Sequence, residues 1–380
     1  MGFNSNDIVF FFGAGASAPF GIPTMKKFVG DFESYLNENA DKDERELYSD
    51  IKGTLEKKIH RPPDLEAVFT VIDGIISYDN PERLGMFSLY FATQFKDNFP
   101  NKDHVIISQN LKRKFQSFIK ENCAIPDSSY ERIGKVYRDF FQRIELESSP
   151  EKDQYPFAYN SSWTLFTTNY DLCLEYYFSE VAGIGIDTGF DWSYRRKIGV
   201  LNSSKLLEEG TGEIKLFKLH GSVNWQIEEK TRKVIERMEK GSSMIGRKYV
   251  GELMLYPIAE KELYFEPYIS MLVRLNRELE RKNIWIVIGY SFNDLVIRSI
   301  FLKHSSENKH LVLVHPHADV VLNQRLRGIK SKNSPIKQYF GLSEKKALSG
   351  LGSQTFSQVN HQMMHKILDG EPRFKWDQFP

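Results

Sequence analysis

The sequence predicts an α/β protein: a doubly wound, mostly parallel sheet with a large helical insertion and a helical C-terminal extension. Short runs of β-branched and aromatic residues end in polar or glycine-rich residues, as strands buried in a parallel sheet do. Helical patterns follow several of these runs, which is the strand, turn, helix order of a doubly wound sheet. A long, charged, amphipathic segment separates the first two runs and predicts the helical insertion.

Six runs are the strand candidates, and each has the length and apolar character of a buried strand. Four are strong and two are weaker. The strong candidates are DIVFFF (7–12), WTLFTT (163–168), WIVIGY (285–290) and LVLVHP (311–316), and the weaker ones are IKLFKLH (214–220) and ELMLYP (252–257).

The domain organisation that fits these runs is one catalytic domain, residues 1–322, with two insertions. The helical insertion covers about residues 25–159. A smaller insertion, about 183–251, is rich in glycine, serine and charged residues and is expected to be a flexible hairpin region. Residues 323–380 are expected to form a C-terminal extension that contacts an oligomer or a partner. A chain of 380 residues could also divide into two domains of roughly 150 residues or more.

Composition excludes several classes of protein. The chain has 51 lysines and arginines against 50 aspartates and glutamates, so its net charge is +1 and no global field attracts nucleic acid. We therefore do not expect direct nucleic-acid binding. No stretch reaches the ~18 uninterrupted apolar residues of a membrane helix. The N-terminal segment lacks the basic region and cleavage site of a signal peptide, so we expect a cytoplasmic protein with no membrane contact.

No metal site is expected from the cysteine and histidine pattern. Cys123 and Cys173 form no Cys-x-x-Cys pair and cannot supply a four-thiolate zinc site. His361 and His365 have the i, i+4 spacing of a helix-borne zinc pair. Gln362 follows the first histidine, however, so the glutamate base of the zinc-protease motif is absent and a non-metal role is favoured.

A glycine-rich turn follows the first strand candidate. Gly13, Gly15 and Ala18 fit the pattern G-x-G-x-x-G/A between a strand and a helix, which is the context of a Rossmann-like diphosphate site. Glycines let the backbone approach a diphosphate closely, and amides at a helix start bind anions. The alternative is that the glycines serve only tight packing. No Gly-Lys-Ser/Thr follows, which excludes a P-loop, and no second strand carries the ribose-binding carboxylate of a dehydrogenase.

Polar residues end two further strand candidates. Asn169 and Asp171 follow WTLFTT, at the edge of an open α/β sheet where ligands lie. Helix capping is the alternative role for either residue. His220 follows LFKL and precedes Gly221, which leaves room for a ligand beside the imidazole. A satisfied structural histidine is the alternative.

The last two strands also end in candidate ligand contacts. Gly289 and Ser291 form the turn after WIVIGY, where they could contact an anion or a ribose. A nucleophile elbow at Ser291 is disfavoured, because that motif is G-x-S-x-G and residue 293 is asparagine. A helix cap by Ser291 or Asn293 is the alternative. His315 ends the final strand as a ligand contact or a loop residue.

In their order along the chain these motifs resemble those of the sirtuin family. GAGAS (13–17) and GIP (21–23) are similar to the sirtuin Gly-Ala-Gly-x-Ser turn and its Gly-Ile-Pro continuation. TTNYD (167–171) resembles Thr-Gln-Asn-Ile-Asp, HG (220–221) resembles the catalytic histidine before a glycine, and GYS (289–291) resembles Gly-Thr-Ser. The resemblance covers about half of the chain, and it implies a fold that binds NAD+ and breaks the nicotinamide–ribose bond.

The chain differs from the sirtuin deacylases in two features. Sirtuin deacylases continue Gly-Ile-Pro into Asp-Phe-Arg, where this chain has Thr24 and Met25, and they carry a four-cysteine zinc module that this chain lacks. A sirtuin core with a helical insertion and no zinc resembles the bacterial sirtuin-like NAD+ hydrolases of anti-phage defence. Those enzymes act in abortive infection by depleting NAD+. The chain length resembles that of the stand-alone subunit that assembles with a HerA-type hexameric ATPase.

The resemblance implies a function and a set of site residues. NAD+ is the expected substrate, there is no true cofactor and no zinc, and a homo-oligomer and a HerA-type ATPase are the expected partners. The alternatives are a module that senses NAD+ or ADP-ribose without turnover, a serine hydrolase using Ser291, and an NAD-dependent protein deacylase. The expected catalytic residues are Asn169 and His220, and the expected NAD+ contacts are Gly13, Ala14, Gly15, Ser17, Thr24, Asp171, Gly289, Ser291 and His315.

Overall fold

The structure is a computed structural model that describes residues 5–59, 63, 65–77, 102–148, 163–193, 198–208, 214–228, 231, 233–237, 249–254, 266–305, 309–326 and 340–341. Two compact units make up the chain. Met1–Ile22, Ile125–Leu253 and Phe265–Pro380 form the first unit, and Pro23–Ala124 with Met254–Tyr264 forms the second. The boundaries of the predicted catalytic domain and its insertions stay a prediction.

Twelve strands are present in the described part of the chain, and they form two sheets. The seven-stranded sheet has the order β12-β11-β10-β1-β2-β6-β3, and the five-stranded sheet has the order β4-β5-β8-β7-β9. The strands are β1 (Ile8–Phe12), β2 (Thr164–Thr167), β3 (Ile186–Asp187), β4 (Phe190–Ser193), β5 (Ile198–Leu201), β6 (Ile214–Lys218), β7 (Gly221–Glu228), β8 (Val234–Arg237), β9 (Tyr249–Met254), β10 (Ile284–Ile288), β11 (His310–His315) and β12 (Phe340–Gly341).

The described residues also form eleven α-helices. Short 3₁₀ turns (Ser5–Asp7, Ala18–Phe20 and Asp127–Ser129) and a π-helix (Tyr177–Val181) accompany them. The helices are α1 (Ala14–Ser17), α2 (Met25–Asn39), α3 (Lys42–Ile59), α4 (Leu65–Ser77), α5 (Lys102–Asn122), α6 (Tyr130–Ser148), α7 (Cys173–Tyr176), α8 (Ser203–Leu207), α9 (Tyr268–Arg281), α10 (Leu295–His304) and α11 (Ala318–Gln324).

The predicted fold class is confirmed by the seven-stranded sheet. Every neighbouring pair of its strands is parallel. All four strong strand candidates lie in this sheet, as β1, β2, β10 and β11, and the weaker candidate IKLFKLH supplies β6. The other weak candidate, ELMLYP, overlaps β9, which belongs to the five-stranded sheet.

Both faces of the parallel sheet are covered within the first unit, and β1 shows how. Its side chains alternate between the faces because successive residues of a strand point in opposite directions. Phe10 packs edge-on against Phe140 and Phe141 of α6. Phe11 lies on the opposite face, where it packs against Phe301 of α10. Helices on both faces explain why all five residues of β1 are buried.

The range 183–251 supplies strands to both sheets. It contributes β3 and β6 to the parallel sheet, and β4, β5, β7, β8 and the start of β9 to the five-stranded sheet. The described pairs in the five-stranded sheet are antiparallel. Trp225 of β7 is fully buried, and its indole Nε1–H donates to Glu236 of β8 at 3.2 Å. The range thus has a packed interior of its own.

Apart from Met254, the last residue of β9, the second unit is mainly helical in its described part. Phe32 of α2 packs its ring against Phe69 of α4 and against Phe115 and Phe118 of α5. At the start of α3, Asp41 and Glu44 form a reciprocal capping box. The Glu44 N–H donates to Asp41 Oδ1 at 2.9 Å, and the Asp41 N–H donates to Glu44 Oε2 at 3.0 Å.

Some predictions fall outside the described residues. His361 and His365 lie there, as does the predicted C-terminal extension apart from the end of α11 and β12. Both cysteines are buried, Cys173 in the first unit and Cys123 in the second. In the described residues, no helix is long and apolar enough to cross a membrane.

Candidate active site

The carboxyl ends of five parallel strands bring the predicted site residues to one edge of the sheet. Gly13 follows β1, Asn169 follows β2, His220 follows β6, Gly289 follows β10, and His315 ends β11. Because these strands are parallel neighbours, the segments that follow them meet at the same edge. The sequence prediction that this edge gathers the motifs agrees with the strand order.

Backbone hydrogen bonds join the segments to one another. The Leu219 N–H donates to Thr167 O at 2.8 Å, and the Val223 N–H donates to Tyr170 O at 3.1 Å, which ties the segment around His220 to that around Asn169. The Thr168 N–H donates to Phe12 O at 3.1 Å and links the Asn169 segment to β1. The site is therefore held by main-chain contacts between strand ends.

The glycine-rich turn packs directly on the turn after β10. A Cβ added at Gly13 would lie 2.6 Å from Gly289 O, and one added at Gly15 would lie 2.8 Å from Gly289 Cα. Gly289 has a φ of +66°, and a Cβ there would lie 2.3 Å from the nitrogen of Ala16. These three glycines are needed because two backbones touch, so the packing role left open for the motif is present.

Three backbone amides of this turn already have acceptors. The Gly13 N–H donates to Ile288 O at 2.8 Å, the Gly15 N–H donates to Gly289 O at 3.0 Å, and the Ala16 N–H donates to Gly13 O at 2.9 Å. The expected use of these amides as a diphosphate cradle would require them to exchange these partners.

Asn169 joins its strand end to the glycine-rich turn. Its Nδ2 donates to Gly13 O at 3.0 Å and to Ser17 Oγ at 2.9 Å. Since the Gly13 carbonyl can only accept, the nitrogen of the carboxamide must face it, and this fixes the amide orientation. The other carboxamide atom, Oδ1, is buried and has no hydrogen-bond partner among the described residues. A buried acceptor without a partner is the kind of group that a ligand or water satisfies.

Asp171 has a structural contact in place. Its Oδ1 accepts from the Cys173 N–H at 3.1 Å, two residues on, as in an Asx turn at the start of α7. Helix capping was the alternative that the sequence left open for Asp171, and the N-cap residue of α7 is instead Leu172. In the same unit, the fully buried Lys218 of β6 donates from Nζ to Glu175 Oε1 at 2.7 Å.

His220 pairs with a carboxylate that the sequence analysis did not select. Its Nε2 lies 3.2 Å from Oδ2 of Asp294, and both side chains are about nine-tenths buried, with 10% and 9% exposed. Gly221, the next residue, has a φ of +84°, which favours glycine and explains the His-Gly pair in backbone terms. The imidazole is therefore oriented by a side chain from another segment.

Asp294 also caps α10. Its Oδ1 accepts from the Val296 N–H at 2.9 Å and from the Ile297 N–H at 3.2 Å. The cap is thus Asp294, and not Ser291 or Asn293 as the sequence suggested. The signal in the sequence was an aspartate directly before an apolar helical pattern. Ser291, Asn293 and Asp294 lie within four positions, so the sequence did not show which of them caps α10.

The remaining predicted contacts lie in different settings. Ser291 is half-buried in the segment between β10 and α10. His315 accepts the His317 N–H at its Nδ1, at 3.0 Å, and burial together with the nearby His317 lowers the pKa of His315 to about 4. It is therefore a neutral imidazole at pH 7. Thr24 belongs to the second unit, where it is the N-cap residue of α2.

In the described part of the chain, no group of three or more histidine, cysteine, aspartate or glutamate side chains could hold a metal ion.

Comparison with known proteins gives one family match. Residues 164–340 match the model of the SIR2-like domain, a range that includes Asn169, His220, Gly289 and Asp294. No curated protein matches the chain. The match supports a sirtuin-like family for the part of the chain that carries these four residues.

Several solved Sir2 structures are similar to the chain at low identity. A Sir2 homologue–NAD complex is 15% identical with a TM-score of 0.40, covering 95% of this chain and 90% of its own. A Sir2 enzyme from a study of mechanism and regulation is 12% identical with a TM-score of 0.39, covering 94% and 93%. Sir2Tm bound to a propionylated peptide is 12% identical with a TM-score of 0.38, covering 94% and 92%.

Proposed function

We propose that this chain, whose residues 164–340 match a SIR2-like domain, hydrolyses NAD+ to nicotinamide and ADP-ribose. The observation that carries the proposal is the Asn169 carboxamide, which is fixed against the glycine-rich turn with its Oδ1 buried and unsatisfied. The sirtuin resemblance of the motifs supports NAD+ as the substrate. His220, oriented on the neighbouring strand end, supplies the base.

The reaction requires little acid catalysis. The bond between the ribose C1′ and the nicotinamide nitrogen breaks, its electron pair neutralises the pyridinium, and nicotinamide leaves as a neutral base. The ribose passes through an oxocarbenium-like transition state, as in other glycoside hydrolyses. Water then forms the new C1′–O bond and gives up a proton. The protein has to hold the ribose, place one water and accept that proton.

The two central residues have distinct roles in this scheme. Asn169 Oδ1 accepts a hydrogen bond from the attacking water or from a ribose hydroxyl, which satisfies the buried oxygen. His220 accepts the proton, a contribution worth roughly 10²–10⁴-fold in rate. Both groups are held before substrate binds, because the segments that carry them are joined by main-chain hydrogen bonds.

Ser17 is the group we assign to the phosphates. Its Oγ accepts from Asn169 Nδ2, so its own hydroxyl hydrogen is left to donate to a phosphate oxygen. The glycines contribute by allowing close approach of the backbones, and not through the three amides that are already bonded. Asp171, Gly289, Ser291, His315 and Ala14 stay candidate contacts within the first unit.

Product identification tests the proposal and separates it from its alternatives. The purified chain is incubated with NAD+, with and without an acetylated peptide, and the products are separated by chromatography. Nicotinamide and ADP-ribose in equal amounts, independent of peptide, support hydrolysis. Peptide-dependent nicotinamide release with an acylated ADP-ribose identifies a deacylase. Binding of NAD+ without any product identifies a sensing module, and covalent labelling of Ser291 by a serine-reactive probe identifies a serine hydrolase.

The biological setting is proposed from the sequence resemblance. In that setting the enzyme depletes NAD+ during anti-phage defence in the cytoplasm, as a homo-oligomer with a HerA-type hexameric ATPase. An NAD+ hydrolase with constant full activity would harm its host, so we expect assembly to control turnover. Nicotinamide release measured with and without a HerA-type ATPase, alongside the oligomeric mass of each sample, tests this. Full turnover by the isolated monomer would overturn the control by assembly.

A further inference from the structure

We infer that Asp294 is a positioning residue that selects the tautomer of His220 and aims its second nitrogen at the reacting water. The inference rests on the proposed function, in which His220 is the base. It adds Asp294, which follows strand β10. The Asp294 carboxylate contacts the imidazole of His220 and not the substrate.

The two oxygens of the Asp294 carboxylate have different partners. Oδ1 accepts from the backbone N–H groups of Val296 and Ile297 in the first turn of α10. Oδ2 lies 3.2 Å from Nε2 of His220. The helix cap therefore fixes the position of the carboxylate, and one oxygen is directed at the imidazole. A carboxylate held in this way restricts the rotation of the histidine ring.

The direction of the hydrogen bond between Asp294 and His220 determines which imidazole nitrogen carries the proton. An ionised carboxylate can only accept, so the nitrogen that faces it must carry a hydrogen. Nε2 therefore holds the proton in the neutral ring, and Nδ1 holds the lone pair. When Nδ1 takes a proton from water, the resulting imidazolium stays beside a carboxylate that stabilises it. The same division of roles operates in serine protease triads.

The segment before Asp294 has the rigidity that this role requires. Phe292 has a φ of +56°, uncommon for a residue with a side chain, and is fully buried. Its ring packs against Tyr290 at 4.9 Å and against Phe301 of α10 at 5.1 Å between centroids. Gly289, at the start of this segment, is wedged against the glycine-rich turn. The carboxylate is thus anchored on both sides along the chain.

Asp294→Asn is the decisive substitution because it keeps the cap and reverses one contact. Asparagine caps helices as well as aspartate does, so its Oδ1 continues to accept from the α10 amides. Its Nδ2 then faces His220 and can only donate, which forces the imidazole proton to Nδ1 and removes the base. Asp294→Ser is the matched variant, since serine also caps but does not reach the ring.

The expected result is a loss of turnover without a loss of folding. Asp294→Asn should lower kcat for nicotinamide release by at least about 100-fold and change KM by less than about threefold. Its melting temperature should stay within about 3 °C of the wild type. In the His220→Ala background the same substitution should have no further effect on kcat, because its action passes through the imidazole. Asp294→Ser should also lower kcat.

A nitrogen-15 NMR measurement tests this inference independently of the proposed function. Nitrogen-15 chemical shifts of the His220 imidazole, assigned with His220→Gln, report the tautomer whether or not the protein hydrolyses NAD+. We expect the proton on Nε2 in the wild type and on Nδ1 in Asp294→Asn. Unchanged shifts, or wild-type kcat in Asp294→Asn when His220→Ala is inactive, would overturn the inference. A wild type without turnover but with the expected shifts would overturn the hydrolase proposal alone.

Discussion

At the scale of single residues, the orientation of one amide determines what the site can do. The Asn169 carboxamide has its nitrogen on Gly13 O and Ser17 Oγ, which leaves its oxygen as a buried acceptor. The opposite orientation would place two oxygens in contact and leave no acceptor for a ligand. The proposed roles of Asn169 and Ser17 both follow from this orientation.

Stability of two Asn169 variants tests the orientation. Asn169→Ala removes two hydrogen bonds and should lower the free energy of unfolding by about 1–2 kcal/mol. Asn169→Asp places a charged acceptor against the Gly13 carbonyl and should cost about 1–3 kcal/mol more than the alanine variant near pH 8. Urea unfolding at that pH measures both. Equal stabilities of the two variants would show that the nitrogen does not face Gly13.

The sequence identified Asn169 and His220 because each directly follows an apolar run that is a strand. It did not identify Asp294, since the helix start was ambiguous among Ser291, Asn293 and Asp294. The positive φ of Phe292 and its burial decide which of the three reaches His220. Those features arise from packing against α10 and leave no pattern in a single sequence.

At the scale of elements, two turns contact each other directly through their backbones. The turn after β1 carries Gly13 and Gly15, and the turn after β10 carries Gly289, with no side chain between them. The sequence predicted both turns as ligand contacts. It could not predict that the turns bond to each other, because they are far apart in the chain and meet only when β1 pairs with β10.

Gly289→Ala should destabilise the protein through this contact. The added Cβ would lie 2.3 Å from the Ala16 nitrogen, and the φ of +66° is itself unfavourable for alanine. Gly183→Ala is the matched control, because Gly183 has the same φ of +66° and a Cβ added there would meet no atom within 4 Å. We expect a loss of about 1 kcal/mol for Gly183→Ala and about 2–4 kcal/mol for Gly289→Ala by urea unfolding. Similar losses for both would mean that the turns do not touch.

The five-stranded sheet carries a buried carboxyl group that should make stability depend on pH. Burial, together with repulsion from Glu175, raises the pKa of Glu236 from 4.5 to about 7. The folded state therefore binds the Glu236 proton more tightly than the unfolded chain does. The stability that this carboxyl contributes is full below pH 4.5 and is lost as the pH rises through 7.

Glu236→Gln should remove this dependence. Glutamine stays neutral and keeps an acceptor for the Trp225 indole N–H. Its free energy of unfolding relative to wild type should rise by on the order of 3 kcal/mol between about pH 4.5 and pH 8. Urea titrations of both proteins across that range measure the difference, in which titrating groups that do not interact with Glu236 cancel. A difference that does not change with pH would contradict the raised pKa.

At the scale of the whole molecule, the predicted fold class agrees with the structure where strands are buried on both faces. The β1, β2, β10 and β11 runs were recognisable because a strand covered by helices is apolar along its length. The strands of the five-stranded sheet were harder to predict from the sequence. Its strands mix buried and partly buried positions and lie within a segment rich in glycine, serine and charge, which resembles a loop region.

The match to a SIR2-like domain begins at Thr164, so it includes Asn169, His220 and Asp294 but not the glycine-rich turn. That turn belongs to the same unit through its contacts with Gly289 and Asn169. The proposed reaction therefore depends on residues from both ends of the first unit being brought to one sheet edge. Such a site is assembled only in the folded chain.

Nicotinamide release from NAD+ by the wild type, Asn169→Ala and His220→Ala is the sharpest test of the assigned site. We predict steady release by the wild type, with the HerA-type ATPase present if assembly is required, and a fall of at least about 100-fold in each variant. Circular dichroism spectra should show that both variants stay folded. Release by either folded variant at the wild-type rate would contradict the assigned site.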